Sequence, residues 1–175
     1  MVKIHGGNMS AQLTKIDSSL VSAISKTMES MTFEEVQVVS APPGMDTVLK
    51  NKVWAVLPII SPIEGKISME LPFDYGRILT DEVCGGTEEE PSEDAIKDVV
   101  GEILNTMAGR FLDDLLDSEK SFELGLPESG RADLPVSDDA VAVVHVEISG
   151  HVIRTKLVGE GFTVFSKELE KELTT

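Results

Sequence analysis

The stretch from residue 10 to residue 31 places its apolar side chains three and four positions apart. These side chains belong to Leu13, Ile16, Leu20, Ile24 and Met28. Such spacing is the period of a helix that packs one face against a core. Ser10 comes before this pattern and is a residue type that caps helix starts. We therefore predict a first helix over residues 10–31.

Two later segments show the patterns of strands. Residues 53–61 (VWAVLPIIS) are almost continuously apolar, which is typical of a strand buried on both faces. Residues 66–73 alternate instead, which predicts a half-buried strand with Lys66, Ser68 and Glu70 on its polar side. The turn sequence SPIEG joins the two segments, so we predict a hairpin.

The rest of the chain continues this succession of helices and hairpins. In order, we predict a short helix over 74–86 ended by two glycines, a long helix over 93–117 capped by Ser92, a short strand and polar loop over 121–139, a hairpin over 140–160 that turns at Ser149 and Gly150, and a short helix over 165–175. This order predicts an α+β fold, with an antiparallel or mixed sheet of hairpins and long helices packed on one face. A length of 175 residues suits a single domain over residues 1–175.

The charge of the chain narrows the classes of partner. There are 31 Asp and Glu against 15 Lys and Arg, which gives a formal net charge of -16. Nucleic acids and anionic membrane surfaces bind through cationic side chains, so we expect neither as a partner. A protein partner that presents basic groups remains compatible with this charge. The sequence predicts no secretory leader and no membrane span, so we expect a cytoplasmic protein.

The polar face of the long helix carries residues that helix stability alone would not select. Glu102 and Asn105 lie one turn apart, and Gly109 follows at the next turn, although Gly costs about 1 kcal/mol relative to Ala inside a helix. On a helical wheel Asp98, Asn105 and Gly109 fall within about 60° of Glu102, and Thr106 lies on the same side. These five residues form what we call the polar ridge. Periodicity alone leaves open whether the ridge is a site or a solvated helix face.

No other residues form a strong candidate for chemistry. The three histidines are far apart in sequence, although His145 and His151 flank a hairpin turn and could meet across it. Two histidines without further ligands more often fill a sheet face than bind a metal. Cys84 has no histidine close to it in sequence and no second cysteine for a disulfide. We therefore expect no metal and no cofactor held by this chain itself.

Residues 94–115 (DAIKDVVGEILNTMAGRFLDDL) resemble the CheX/CheC family of chemotaxis phosphatases. That family carries Glu-x-x-Asn on a long exposed helix, usually continued as Asn-x-x-x-Gly, and Glu102, Asn105 and Gly109 match it. The order of predicted elements is similar to the CheX layout over most of the chain. CheX-like members carry one such motif and CheC-like members carry two. The first helix here reads KTMESM where a second motif would stand, so the chain resembles CheX.

The resemblance implies an activity, a partner and a role for each residue of the motif. The expected substrate is the aspartyl phosphate of a phosphorylated CheY-type receiver domain, which supplies its own Mg²⁺ and a lysine. Asn105 is expected to position the attacking water, and Glu102 to pair with the receiver lysine. We expect Asp98, Thr106 and Gly109 to contact the partner. The resemblance also implies a CheC-like fold and a homodimer.

Two other interpretations remain open from the sequence. The chain could be a docking or scaffold module that binds receivers in a chemotaxis or two-component pathway without hydrolysis. It could also be an unrelated acidic α+β protein whose Glu102 and Asn105 are only solvated. Loss of Asn105 separates the first interpretation from catalysis, because pure docking tolerates that loss. The last interpretation predicts no binding to any receiver.

Overall fold

A computed structural model describes residues 3–4, 14–86, 89–116, 120–137 and 139–172. The predicted helix cap at Ser10 and the predicted helix end at Asp117 lie outside these described residues.

Within the described residues, one eight-stranded sheet forms the centre of the fold. Its strands are β1 (Lys3–Ile4), β2 (Gln37–Val39), β3 (Lys52–Ser61), β4 (Gly65–Pro72), β5 (Glu123–Leu124), β6 (Glu128–Gly130), β7 (Ala140–Ile148) and β8 (His151–Val158). Their order across the sheet is β1-β2-β7-β8-β4-β3-β5, and β6 also pairs with β3. All pairs are antiparallel except β1 with β2. The predicted mixed sheet and its two hairpins, β3–β4 and β7–β8, are confirmed.

Five helices pack with this sheet in the described part of the chain. They are α1 (Lys15–Thr32), α2 (Met45–Val48), α3 (Phe73–Val83), α4 (Glu93–Leu115) and α5 (Glu160–Glu172). Thr14 caps α1 in a reciprocal capping box with Asp17. The predicted cap of α4 is confirmed, because the Ser92 side chain accepts a hydrogen bond from the backbone N–H of Ala95. The last helix begins at Glu160, earlier than predicted.

The hydrophobic core lies between the sheet and the pair α1 and α4. On α4 the buried side includes Val100, Leu104, Met107 and Phe111, which lie opposite the polar ridge on the helical wheel. Helix α1 packs beside α4 and against β7, and Phe162 of α5 meets Phe111 with ring centroids 6.0 Å apart. The long helices therefore share one face of the sheet, as predicted.

The prediction of a solvated side for β4 holds at Lys66, which is exposed, but is wrong at Ser68 and Glu70, which are buried. Strand β4 pairs with β3 on one edge and β8 on the other, and Glu70 is only 1% exposed. Its carboxylate accepts from Lys52 Nζ at 2.7 Å and from Arg154 Nε at 2.7 Å. Arg154 also reaches Asp46 of α2 at 3.2 Å. Segments that are remote in sequence cover the second face of the sheet, and they bury β4 at Glu70.

The loop after β6 also covers the second face of the sheet. Trp54 on β3 donates from Nε1 to the carbonyl of Ala132 at 2.8 Å. Arg131 donates to the carbonyl of Lys52 at 2.9 Å, and its guanidinium lies 3.4 Å from the ring centre of Phe73. These contacts fix the polar loop, predicted only as a connection, against the start of β3.

The ion pairs of Glu70 with Lys52 and Arg154 make the free energy of unfolding depend on pH. Burial alone would raise the pKa of Glu70, but hydrogen bonds and charges from Arg154 and Lys52 outweigh burial and hold the pKa below 4.5. A lowered folded-state pKa adds stability that is present above the unfolded pKa and is lost as pH falls through the folded value. Glu70→Gln should therefore lower the free energy of unfolding at pH 7 by about 3 kcal/mol.

Urea denaturation at several pH values checks this expectation. The gap in the free energy of unfolding between the native chain and Glu70→Gln should narrow as pH falls below 4.5. As a control, Glu128→Gln at an exposed position should change this free energy by less than about 0.5 kcal/mol. A gap that stays constant from pH 7 to pH 3 would contradict the assignment of this ion pair.

Candidate functional site

The polar ridge lies along the outer side of α4, opposite the core. Asp98 and Glu102 are exposed, and Asn105, Thr106 and Gly109 are half-buried. Helix α4 is 23 residues long, so the ridge occupies its central turns, away from both ends. The structure therefore brings all five residues together on one accessible surface.

Glu102 and Asn105 are not engaged within the described part of the chain. Neither side chain makes a hydrogen bond or an ion pair there. Residues three apart on a helix hold their Cβ atoms about 5–6 Å from each other, so both side chains can reach one small ligand. The carboxylate accepts hydrogen bonds only, whereas the carboxamide both donates and accepts. This combination can orient a water molecule and bind a cation at adjacent points.

The two glycines of this region have different surroundings. A Cβ at Gly109 would meet nothing within 4 Å, so the ridge has a gap there that opens to solvent. A Cβ at Gly101 would lie 3.2 Å from Ser129 Oγ and 3.6 Å from Pro127 Cβ. Gly101 therefore lets the segment before β6 pack closely against α4. Sequence reasoning missed this contact, because the two segments are far apart along the chain.

Arg110 is a second feature that sequence reasoning missed. Its Nη1 donates to Thr27 Oγ1 and Ser30 Oγ of α1, both at 3.3 Å. The guanidinium thus ties α1 to the helix that carries the ridge, one residue after Gly109. In the sequence, Arg110 is visible only as a cation among the acidic residues of this helix, and that pattern does not identify its partners on α1.

The start of α4 carries its own ion pairs. Glu93 pairs with Lys97 at 2.7 Å and with Arg131 at 3.1 Å. The hydrogen bond from Lys97 and the nearby cations lower the pKa of Glu93, and the same bond raises the pKa of Lys97. The acidic start of the helix is therefore partly neutralised, and the exposed carboxylates of Asp98 and Glu102 carry the charge of the ridge.

The two histidines of the last hairpin do not meet. His145 pairs in register with Arg154 and His151 with Ile148, which places them on opposite faces of the sheet. His151 stacks on Tyr75 with ring centroids 4.5 Å apart. Across the described residues, no group of three or more His, Cys, Asp or Glu side chains is arranged to hold a metal ion.

Substitution of the two glycines by Ala tests this geometry. Gly109→Ala should raise the free energy of unfolding by about 0.5–1 kcal/mol, because Ala has the higher helix propensity and the new methyl meets no atom. Gly101→Ala should gain less or lose stability, because the methyl crowds Ser129. Urea or thermal unfolding of both variants measures the difference, and equal gains would contradict the close packing at Gly101.

Comparisons with known proteins agree with this fold. CheX from Vibrio vulnificus superposes with a TM-score of 0.65 at 13% identity, over 86% of this chain and 98% of that one. The CheX of a CheX-CheY-BeF3-Mg²⁺ complex from Borrelia burgdorferi superposes with a TM-score of 0.60 at 15% identity, over 81% and 95% of the two chains. Thermotoga maritima FliY gives 0.64 at 17% identity, over 91% and 93%. At such identities these likenesses show a shared fold.

Two further findings concern the sequence and the helices. A comparison with curated protein sequences found no match. None of the helices in the described ranges is long and apolar enough to cross a membrane.

The family comparison is the decisive one. The family model described as chemotaxis phosphatase CheX matches residues 53–152, which is more than half of the chain and includes the whole polar ridge. The predicted resemblance is confirmed, and this chain belongs to the CheX family.

Proposed function

We propose that this chain is a phosphatase that hydrolyses the aspartyl phosphate of a CheY-type receiver domain. The observation that carries the proposal is the unengaged pair of Glu102 and Asn105, one turn apart on the exposed side of α4. Membership in the chemotaxis phosphatase family supports the reaction class. The Borrelia burgdorferi complex supports the partner, since it holds a CheX together with CheY, BeF3 and Mg²⁺.

Asn105 would supply the position of the attacking water. In the reaction, water attacks phosphorus, the bond from phosphorus to the aspartyl oxygen breaks, and the proton of the water leaves with the phosphate. The carboxamide oxygen accepts a hydrogen bond from the water, and the NH₂ group can donate one. Asn105 takes up no proton in this scheme, because a loose phosphoryl-transfer transition state depends mainly on position and charge.

Glu102 would hold the helix in register on the receiver. Its exposed carboxylate can form a charge-assisted hydrogen bond with the receiver lysine close to the phosphate. One helical turn then separates that anchor from the water held by Asn105. The net charge of -16 would also speed association with a receiver that has a basic rim around its site.

The other ridge residues would shape the contact. Gly109 leaves space in which a receiver loop can approach the α4 backbone. Thr106 and Asp98 lie beside the motif and would meet the same loops. The chain would need no cofactor of its own, because the receiver brings the Mg²⁺ that neutralises charge on the phosphate. A single domain over 1–175, a homodimer and a cytoplasmic location belong to the same proposal.

Asn105→Ala tests the catalytic role. With the receiver phosphorylated in the presence of Mg²⁺, the variant should accelerate loss of aspartyl phosphate about 100-fold less than the native chain, because the water is no longer positioned. Binding to the receiver should change little. Glu168→Gln, an exposed carboxylate on α5, serves as a control with native activity. If Asn105→Ala keeps native activity, the chain is a docking module or uses other residues.

Glu102→Gln tests the anchor. Loss of the charge should raise KM for the phosphorylated receiver about tenfold, since hydrogen bonds to charged groups contribute about 1.5–3 kcal/mol. The rise in KM with added salt should also be smaller for the variant than for the native chain. Steady-state kinetics at two salt concentrations measure both effects. An unchanged KM with a lowered kcat would instead place Glu102 in the chemical step.

A further inference from the structure

Leu126 is one of the two most exposed large apolar side chains in the described part of the chain. It is 87% exposed, and only Phe33, at 92%, is more exposed. A single exposed leucine is common on protein surfaces and needs no explanation by itself. Its position and its support distinguish Leu126 from such cases.

The backbone on both sides of Leu126 is fixed. The N–H of Gly125 donates to the carbonyl of Pro58 on β3 at 2.8 Å. After Leu126, the ring of Pro127 packs at Gly101 of α4, and β6 pairs with β3. The chain therefore presents Leu126 to solvent from a short segment held by the sheet on one side and by α4 on the other. A group presented in this way loses little conformational freedom when a partner covers it.

The same contacts bring the backbone at Leu126 close to the part of α4 that carries the polar ridge. Pro127, the next residue, lies against Gly101, which immediately precedes Glu102 along α4. Asn105 follows Gly101 by four residues, so the two lie on the same side of the helix. A partner that reaches Asn105 from solvent therefore also comes close to Leu126.

The surroundings of Leu126 define the chemistry of that partner. Exposed carboxylates lie on its own segment, at Glu123 and Glu128, and on the ridge, at Asp98 and Glu102. An exposed apolar side chain with carboxylates on its own segment and on the neighbouring helix fits a surface that has an apolar depression bordered by Lys or Arg.

We propose that Leu126 is a specificity-determining contact, inserted into an apolar depression next to the phosphorylation site of the receiver. This proposal rests on the proposed function, because it assigns the receiver as the occupant. Leu126 touches neither the phosphate nor the water, so it acts on affinity and on the choice among receivers. Receivers whose depression is filled or charged would be poor substrates, although they carry the same aspartyl phosphate.

Kinetics with Leu126 variants test this contact. Leu126→Ser should raise KM for the phosphorylated receiver about tenfold and leave kcat within about twofold, because burial of a leucine side chain stabilises the complex without touching the reaction. Leu126→Met should keep a near-native KM. Val164→Ser, which truncates a 50% exposed apolar side chain on α5, is the matched control and should also keep it. A KM for Leu126→Ser equal to that of Val164→Ser would overturn the proposal.

Binding measurements separate this proposal from the proposed catalysis. The probe is the receiver with Mg²⁺ and beryllium fluoride, and the readout is Kd for the native chain and for Leu126→Ser. A weaker Kd for Leu126→Ser supports the contact even if the native chain does not hydrolyse the phosphate, which would overturn the catalysis alone. Native hydrolysis with no effect of Leu126→Ser on Kd overturns the contact alone. A native chain that neither binds nor hydrolyses overturns both.

Discussion

Packing of α4 against the sheet is the constraint on which the site depends. The buried side of this helix supplies a large part of the core, and that burial fixes both its position and its rotation about its axis. A fixed rotation leaves Glu102 and Asn105 on the outer side of α4, where neither side chain makes a hydrogen bond or an ion pair within the described residues. The buried, apolar side of α4 therefore fixes the position of the polar ridge on the opposite side. Two further contacts hold the same helix. Arg110 donates hydrogen bonds to α1, and Gly101 packs closely against the segment of β6.

Most of the fold, and the placement of the ridge, follow from local patterns. The Ser92 cap, the hairpins around SPIEG and Ser149, and the apolar side of α4 each depend on neighbours within a few residues, which a sequence displays directly. The predictions that were wrong concern contacts between segments or strands whose relation is not visible in the local sequence. Glu70 alternates like a solvated residue, yet the segments that cover it are distant in sequence. His145 and His151 look adjacent across a turn, but strand register, set by pairing along the whole hairpin, assigns them to opposite faces.

The distribution of charge connects the fold with its proposed function. The structure compensates negative charge where it would destabilise folding, through Lys52 and Arg154 at Glu70 and through Lys97 at the start of α4. Along the ridge the carboxylates stay exposed and unpaired within the described residues. Uncompensated charge at a surface that also presents a carboxamide and a gap in the helix suits a cationic, phosphorylated partner.

The most direct measurement is the rate at which a CheY-type receiver from the same cell loses its aspartyl phosphate as this chain is added. With Mg²⁺ present and the phosphodonor removed, we expect the decay rate to rise with the concentration of the chain and then to saturate. Saturation would show that the phosphorylated receiver is bound before it is hydrolysed. A decay rate that stays at its intrinsic value at every concentration, for every receiver of that cell, would contradict the proposed phosphatase.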